Sequence, residues 1–248
     1  MPHLTLMQWL LAIIAAAGIG LAKAGFAGVG LVHVLIFAFL FGARSSTGVV
    51  LPMLLVGDVL TVRAFRQHAQ WEYVRRMLPP ACIGVVGSAA LISHIDETTF
   101  KPMIGWIILV LSAMQLARAQ RPEWFAHVPH SRLFTWTIGL LAGTTTMLAN
   151  AAGPVFALYG LAVGLPKLEL VGTSAWLFLA VNAFKVPFSV ALGLIHWNTL
   201  LLNVVLAPAI VAGNLAGRWL TARLPQRLFD NLLLAFAAIA ALKLVIGW

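Results

Sequence analysis

Apolar runs separated by short polar links fill almost the whole chain: 4–21, 25–41, 46–62, 77–93, 101–119, 132–149, 151–165, 170–193, 197–217 and 228–247. Roughly 20 apolar residues cross a bilayer core as a helix. Helices are favoured there because they satisfy every backbone N–H and C=O internally. The pattern therefore predicts an all-α polytopic membrane protein, with 25–41 and 151–165 as unusually short segments. The pattern also repeats. Gln67-His68-Ala69-Gln70-Trp71 corresponds to Gly193-Leu194-Ile195-His196-Trp197 at an offset of 126, which Thr47 and Thr173 share with Gly87 and Gly213. Asp96-Glu97-Thr98-Thr99-Phe100 corresponds to Pro225-Gln226-Arg227-Leu228-Phe229 at 129. One integral membrane domain is expected, with repeats at 1–125 and 126–248 of about five membrane helices each.

Charge sets the expected orientation of those repeats. Arg63, Arg66, Arg75 and Arg76 place the link after the third segment in the cytoplasm, and Arg118, Arg121 and Arg132 do so for the central link. The link with Asp96, Glu97 and Lys101 then lies outside. In the second copy the signs reverse: His196, Trp197 and Asn198 fall outside, whereas Arg218, Arg223 and Arg227 lie inside. Ten crossings with both termini outside, or three crossings plus a re-entrant hairpin per half, satisfy this alternation equally. Either way the repeats have inverted topology, an arrangement that suits alternating access to a site near the midplane. Composition agrees, with 61% apolar residues, 9% charged and a mean hydropathy of +0.96. The net charge of +9 is explained by cytoplasmic loops, so nucleic acid is not an expected partner. Ala22-Lys23-Ala24 resembles a signal-peptidase site, but the absence of Lys or Arg in residues 1–10 argues for keeping this segment in the mature protein.

Candidate chemistry lies where the lipid pattern is broken. The first break is the glycine-dense run containing Lys23, Gly25 and Gly28, matched by Gly143 to Pro154 with Thr145, Asn150 and Gly153. Such residues interrupt helices, and freed backbone groups survive at membrane depth only against protein or a water-filled cavity. The alternative is close helix packing through small residues. The second break is Arg44-Ser45-Ser46-Thr47, matched by Val171-Gly172-Thr173-Ser174; each is expected to start a helix, either as an ordinary cap or as an anion-binding N-terminus. The third comprises Asp58, Asn182 and Lys185, polar groups inside apolar segments, where a charge usually faces a cavity or a partner. Asp58 and His33 are the candidates for carrying a coupling proton. Neutralising Lys23 or Lys185 is expected to weaken anion binding.

No Walker loop, Cys/His metal spacing or nucleophile elbow occurs, and the single cysteine, Cys82, lies in an apolar run. An enzyme, a metal and a cofactor are therefore not expected. The doubled entry (Lys23-Ala-Gly-Phe-Ala-Gly-Val-Gly and Ala149-Asn-Ala-Ala-Gly-Pro), the Ser45-Ser-Thr and Gly172-Thr-Ser starts, and Asn182-x-x-Lys185 followed by a His-Trp turn resemble the TauE/SafE family of sulfite exporters over nearly the whole chain. That resemblance implies a secondary transporter moving sulfite or a small organosulfonate across the bacterial cytoplasmic membrane, usually outward. The alternatives are an anion channel, or a carrier of another small anion such as a carboxylate or thiosulfate. The expected partners are the small oxyanion and the lipid bilayer; a homo-oligomer is compatible with the sequence.

Overall fold

The computed structural model of the protein describes residues 4–26, 29–121 and 131–221. Gly28, Arg223, Arg227 and the expected segment 228–247 lie outside the described residues. Within them the chain forms nine α-helices and no strand: α1 (Leu6–Lys23), α2 (Val29–Phe41), α3 (Ala43–Phe65), α4 (Trp71–Ile92), α5 (Glu97–Gln120), α6 (Arg132–Ala149), α7 (Ala152–Ala162), α8 (Lys167–Ala191) and α9 (Trp197–Thr221). Five of them, α1, α3, α5, α8 and α9, are long and apolar enough to cross a membrane.

The two short segments are shorter than a bilayer core is thick. With 13 residues in α2 and 11 in α7, they reach about 20 Å and about 16 Å at 1.5 Å per residue, against a core of about 30 Å. Each short helix folds back on the helix before it as a hairpin. Gly18 of α1 packs on Val29 and Gly30 of α2 packs on Ala22, while the Tyr159 ring of α7 stacks 5.9 Å from Phe134 of α6. The chain reverses through Gly25 (φ 119°) in the first hairpin and through Asn150 (φ 53°) in the second. These are backbone conformations that glycine and asparagine tolerate best. Pro154 sits in the first turn of α7, where a missing N–H costs no helical bond.

α3 and α8 form the centre and run antiparallel. Along their seam Gly48 abuts the Leu194 carbonyl and Gly172 abuts the Phe65 carbonyl. Asp58 meets Asn182 between these points, and beyond the far end Gln70 N–H donates to Thr173 Oγ1 at 3.0 Å. α2 leads into the N-terminus of α3 through Gly42, and α7 leads into the N-terminus of α8 through Gly164 to Pro166. Because α3 and α8 are antiparallel, the two hairpins enter from opposite ends of the pair.

The remaining packing comes in matched sets. α1 lies along α9 and α4 along α6; α3 packs on α9 and α4 on α8. Exchanging α1–α4 with α6–α9 turns each contact into its partner. Glycines permit the close crossings: a Cβ on Gly20 would lie 2.1 Å from the Ile210 carbonyl oxygen, and one on Gly143 would lie 1.9 Å from that of Ala81. Helices in lipid associate largely by this kind of backbone approach between small residues.

The hydroxyl-rich segments do not cap helix starts as expected. Ser46 and Thr47 lie in the first turns of α3, where their hydroxyls donate to the carbonyls of Ala43 (2.8 Å) and Arg44 (2.7 Å). The cap residue is Gly42, without a side-chain bond. Instead the Glu97 carboxylate, from the first turn of α5, accepts from the Ala43 and Arg44 N–H groups at 2.5 and 3.1 Å. The anion-binding end of α3 is thus occupied by the protein's own carboxylate. In the second copy, Gly172, Thr173 and Ser174 lie inside α8, whose start is set upstream by Pro166. The polar first turn of α8, with Lys167 and Glu169, extends the helix beyond the apolar run. At the start of α5, hydrogen bonds from Thr99 and then Thr98 hold the exposed Asp96 carboxyl below the usual carboxylate range.

Candidate functional site

The two hairpin tips meet α3 and α8 in the interior, where the buried charges gather. Asp58, on α3, is fully buried; Lys23, in the last turn of α1, places Nζ 2.6 Å from its Oδ1. Asn182 of α8 donates to the other carboxylate oxygen at 2.7 Å. The Lys23 ammonium also lies over the Phe178 ring, 4.7 Å from its centroid, a cation–π contact strengthened by exclusion of water. One turn beyond Asn182, Lys185 is buried as well. Its Nζ donates to the Thr146 carbonyl (2.7 Å), Thr146 Oγ1 (3.2 Å) and Asn150 Oδ1 (2.7 Å), and lies 3.5 Å from Asn182 Oδ1. Asn150 in turn donates to the Thr47 carbonyl at 3.0 Å. A single polar chain therefore runs from α1 through α3 and α8 to α6.

Local structure explains why these residues meet. α6 stops at Asn150 in the left-handed conformation, whose N–H returns to the Thr146 carbonyl at 3.0 Å. This αL cap leaves terminal carbonyls pointing into the protein. A helix C-terminus carries partial negative charge, which favours a cation. Lys185 meets that end of α6, and Lys23 sits at the corresponding end of α1.

Beside this chain is a cavity of about 90 Å³, between the two tips and the N-terminal half of α8. Lys23, Gly25 and His33 face it from the first hairpin, Asn150 and Gly153 from the second, and Ser174 and Asn182 from α8. Asp58, Lys185, Thr47 and Thr173 stand behind this wall: Lys185 bonds to Asn150 and Thr146, Thr47 bonds to Asn150, and Thr173 accepts from Gln70. Arg44, Ser45 and Ser46 are grouped at the start of α3 with Glu97, Thr145 spends its hydroxyl on the Leu141 carbonyl, and Gly172 packs on Phe65. Sequence reasoning passed over Thr146 and Phe178 individually, although Thr146 lies in the Gly143 to Pro154 stretch already singled out and Phe178 lies one turn before Asn182. It also passed over Asn214, which donates to Thr61 Oγ1 at 3.0 Å and to the Gly20 carbonyl at 3.4 Å. The signal was a polar residue inside the apolar run 197–217.

The sequence model of the family described as sulfite exporter TauE/SafE matches residues 10–244. The chain belongs to the TauE/SafE family. It is accordingly a multi-pass membrane protein of a transporter family. Nothing matches the chain among curated proteins or among solved structures. In this TauE/SafE protein the cavity wall combines an ammonium, two amides and the first turn of α7, whose terminal N–H groups carry partial positive charge. Leu54, Phe156 and Phe178 supply much of the rest. Few polar groups on an apolar wall is the usual composition of a small-ligand site. A Cβ added at Gly153 would meet nothing within 4 Å, so that glycine leaves open the space beside the start of α7.

Proposed function

We propose that this protein exports sulfite or a small organosulfonate across the bacterial cytoplasmic membrane, as a carrier built from two inverted repeats, 1–125 and 126–248, with both termini outside. The observation that carries the reading is the cavity where two broken helices meet, with Lys23 and the start of α7 on its wall. An oxyanion is stabilised by backbone N–H groups at a helix start and by a nearby ammonium. Lys23, Gly25, Asn150, Gly153, Ser174 and Asn182 contact the anion, while Asp58, Lys185 and Thr47 hold those residues in place and Thr173 ties α8 to Gln70. The apolar share of the wall gives a short carbon chain a place to lie, which supports an organosulfonate beside sulfite itself.

The antiparallel α3 and α8, and the entry of the two hairpins from opposite ends, support inversion. The cavity separates α7 from α8, whereas α2 packs closely on α3. Exchanging these two arrangements between the halves carries the site from one membrane face to the other. An anion leaving a negative-inside cell gains about 2.3 kcal/mol per charge per 100 mV, so net export needs no nucleotide. Asp58 is the group that carries a proton if transport is coupled to one.

Proteoliposomes loaded with sulfite test this directly. Release should accelerate when the interior is made negative by a potassium diffusion potential, should saturate, and should show counterflow. Flux without saturation or counterflow would mean an anion channel. Dependence on an imposed pH gradient that disappears in Asp58→Asn would assign the coupling to protons. Transport of a carboxylate or thiosulfate, with neither sulfite nor an organosulfonate moving, would replace the substrate while leaving the carrier.

A further inference from the structure

His33 is the only polar side chain in α2, a helix otherwise made of glycine, alanine, valine, leucine, isoleucine and phenylalanine. It is 3% exposed and faces the cavity; neither ring nitrogen makes a hydrogen bond of good geometry among the described residues, the Val29 backbone one turn earlier being the polar group near the ring. Other polar side chains on the same wall already have partners within the protein. Lys23 has Asp58, Asn182 has Asp58, Asn150 has Thr47 and Lys185, Thr146 has Lys185, and Ser174 has the Val171 carbonyl. A buried polar group without a partner is costly and calls for an explanation such as a catalytic or binding role. The placement on α2 makes the cost avoidable. Leucine or phenylalanine would fit the composition of the helix, and even a Cβ added at Gly18 on the neighbouring α1 would lie 4.0 Å from the His33 Cβ, an ordinary contact.

We infer that His33 is a direct substrate contact and a specificity determinant: its ring N–H donates a hydrogen bond to an oxygen of the bound oxyanion. This deepens the proposed function and rests on its site. A neutral imidazole presents one N–H donor and one lone pair, so it recognises an anion by hydrogen bonding and leaves the charge to Lys23 and the helix start. It discriminates against ligands lacking an acceptor oxygen within reach, because the site then keeps its unpaired group. Halide ions, spherical and with weaker acceptors, are thereby disfavoured relative to oxyanions of the same charge.

The test uses the full-length protein in detergent or nanodiscs, with equilibrium binding of sulfite, a two-carbon sulfonate, acetate and chloride, and the thermal midpoint of the ligand-free protein. His33→Leu should weaken binding of the oxyanion by about tenfold to a hundredfold, leave chloride binding within about twofold, and keep or raise the ligand-free midpoint, since an unsatisfied buried group has been removed. Of His33→Asn and His33→Gln, whose amides place an N–H near one or the other ring nitrogen, at least one should recover affinity to within severalfold of the parent. Unchanged oxyanion affinity in His33→Leu overturns the inference. So does a loss shared by all three variants together with a lowered ligand-free midpoint, because that pattern marks a packing residue. If the parent binds acetate but neither sulfur oxyanion, the substrate reading falls, and His33 still stands or falls by the loss of acetate binding in His33→Leu. A parent protein that binds none of the oxyanions removes both.

Discussion

The two hairpin tips occupy corresponding places in the two halves and end their helices differently. At the tip of α1 the ammonium belongs to the helix itself: Lys23 lies in the last turn and is paired with Asp58 at 2.6 Å. At the tip of α6 the ammonium arrives from α8, as Lys185, and its partners there are neutral oxygens of Thr146 and Asn150. An ion pair fastens two helices while adding little net charge. Lys185 is fastened instead by neutral acceptors alone. The comparison therefore divides the labour: the first tip ties α1 to α3 and presents the Lys23 ammonium to the cavity, and the second holds Asn150 on the cavity wall through Lys185.

The largest expected effect breaks the first tip. Asp58→Leu leaves Lys23 buried without its counter-ion, a loss of about 3–5 kcal/mol, which should appear as a steep fall in the thermal midpoint of the detergent-solubilised protein. The double variant Lys23→Met/Asp58→Leu should recover most of it, because the pair is then replaced by apolar side chains. A double variant as unstable as Asp58→Leu alone would show that the ion pair is not the fastening.

Next comes the second tip. Lys185→Met strands Asn150 Oδ1 and removes the charge, so sulfite affinity should fall by about 1.5–3 kcal/mol, the range for a hydrogen bond to a charged group. By isothermal titration Lys23→Met/Asp58→Leu, which removes the ammonium on the cavity wall, should lose more, and the reverse order would move the field to the second tip. The central pair serves as a control on symmetry. Gly48→Ala drives a Cβ to 2.1 Å from the Leu194 carbonyl oxygen and Gly172→Ala drives one to 2.7 Å from that of Phe65. Both should cost about 1–3 kcal/mol by overpacking. If only one end of the α3/α8 seam is sensitive, the asymmetry is not confined to the tips.

The smallest and sharpest change is Asn150→Asp, which gives the second tip an ion pair like the first. Aspartate tolerates the left-handed backbone at this position but has no N–H for the Thr47 carbonyl, so the thermal midpoint should fall slightly while sulfite affinity drops about tenfold, roughly 1.4 kcal/mol. Unchanged affinity would mean that the charge of Lys185 does not reach the cavity.

Much of this architecture is written in local patterns. Apolar runs of about twenty residues predict α1, α3, α5, α8 and α9, because burial in lipid constrains composition over a whole helix. Glycine-rich Gly25 and the Asn150 turn announce the helix breaks, since few other residues adopt those backbone angles. The same patterns placed the helix starts too late, at Ser45 and Gly172, because hydropathy registers where lipid contact begins and backbone hydrogen bonding continues upstream to Gly42 and Pro166. Likewise Glu97 was read as an outside loop charge, and its role as the cap of α3 depends on a contact 54 residues away.

The sequence by itself determined that polar residues interrupt the apolar runs, and that they need partners, because hydrocarbon tolerates them only so. Which residues became partners was decided by tertiary structure. Lys23 and Lys185 look alike in the chain, each a lone ammonium in an apolar run. The antiparallel seam of α3 and α8 brings Asp58 to Asn182 and within reach of Lys23, and leaves Lys185 to the end of α6. The physical reason is that the state of a buried charge depends on what lies within a few ångströms of it, and those neighbours come from helices separated by up to 124 residues of sequence.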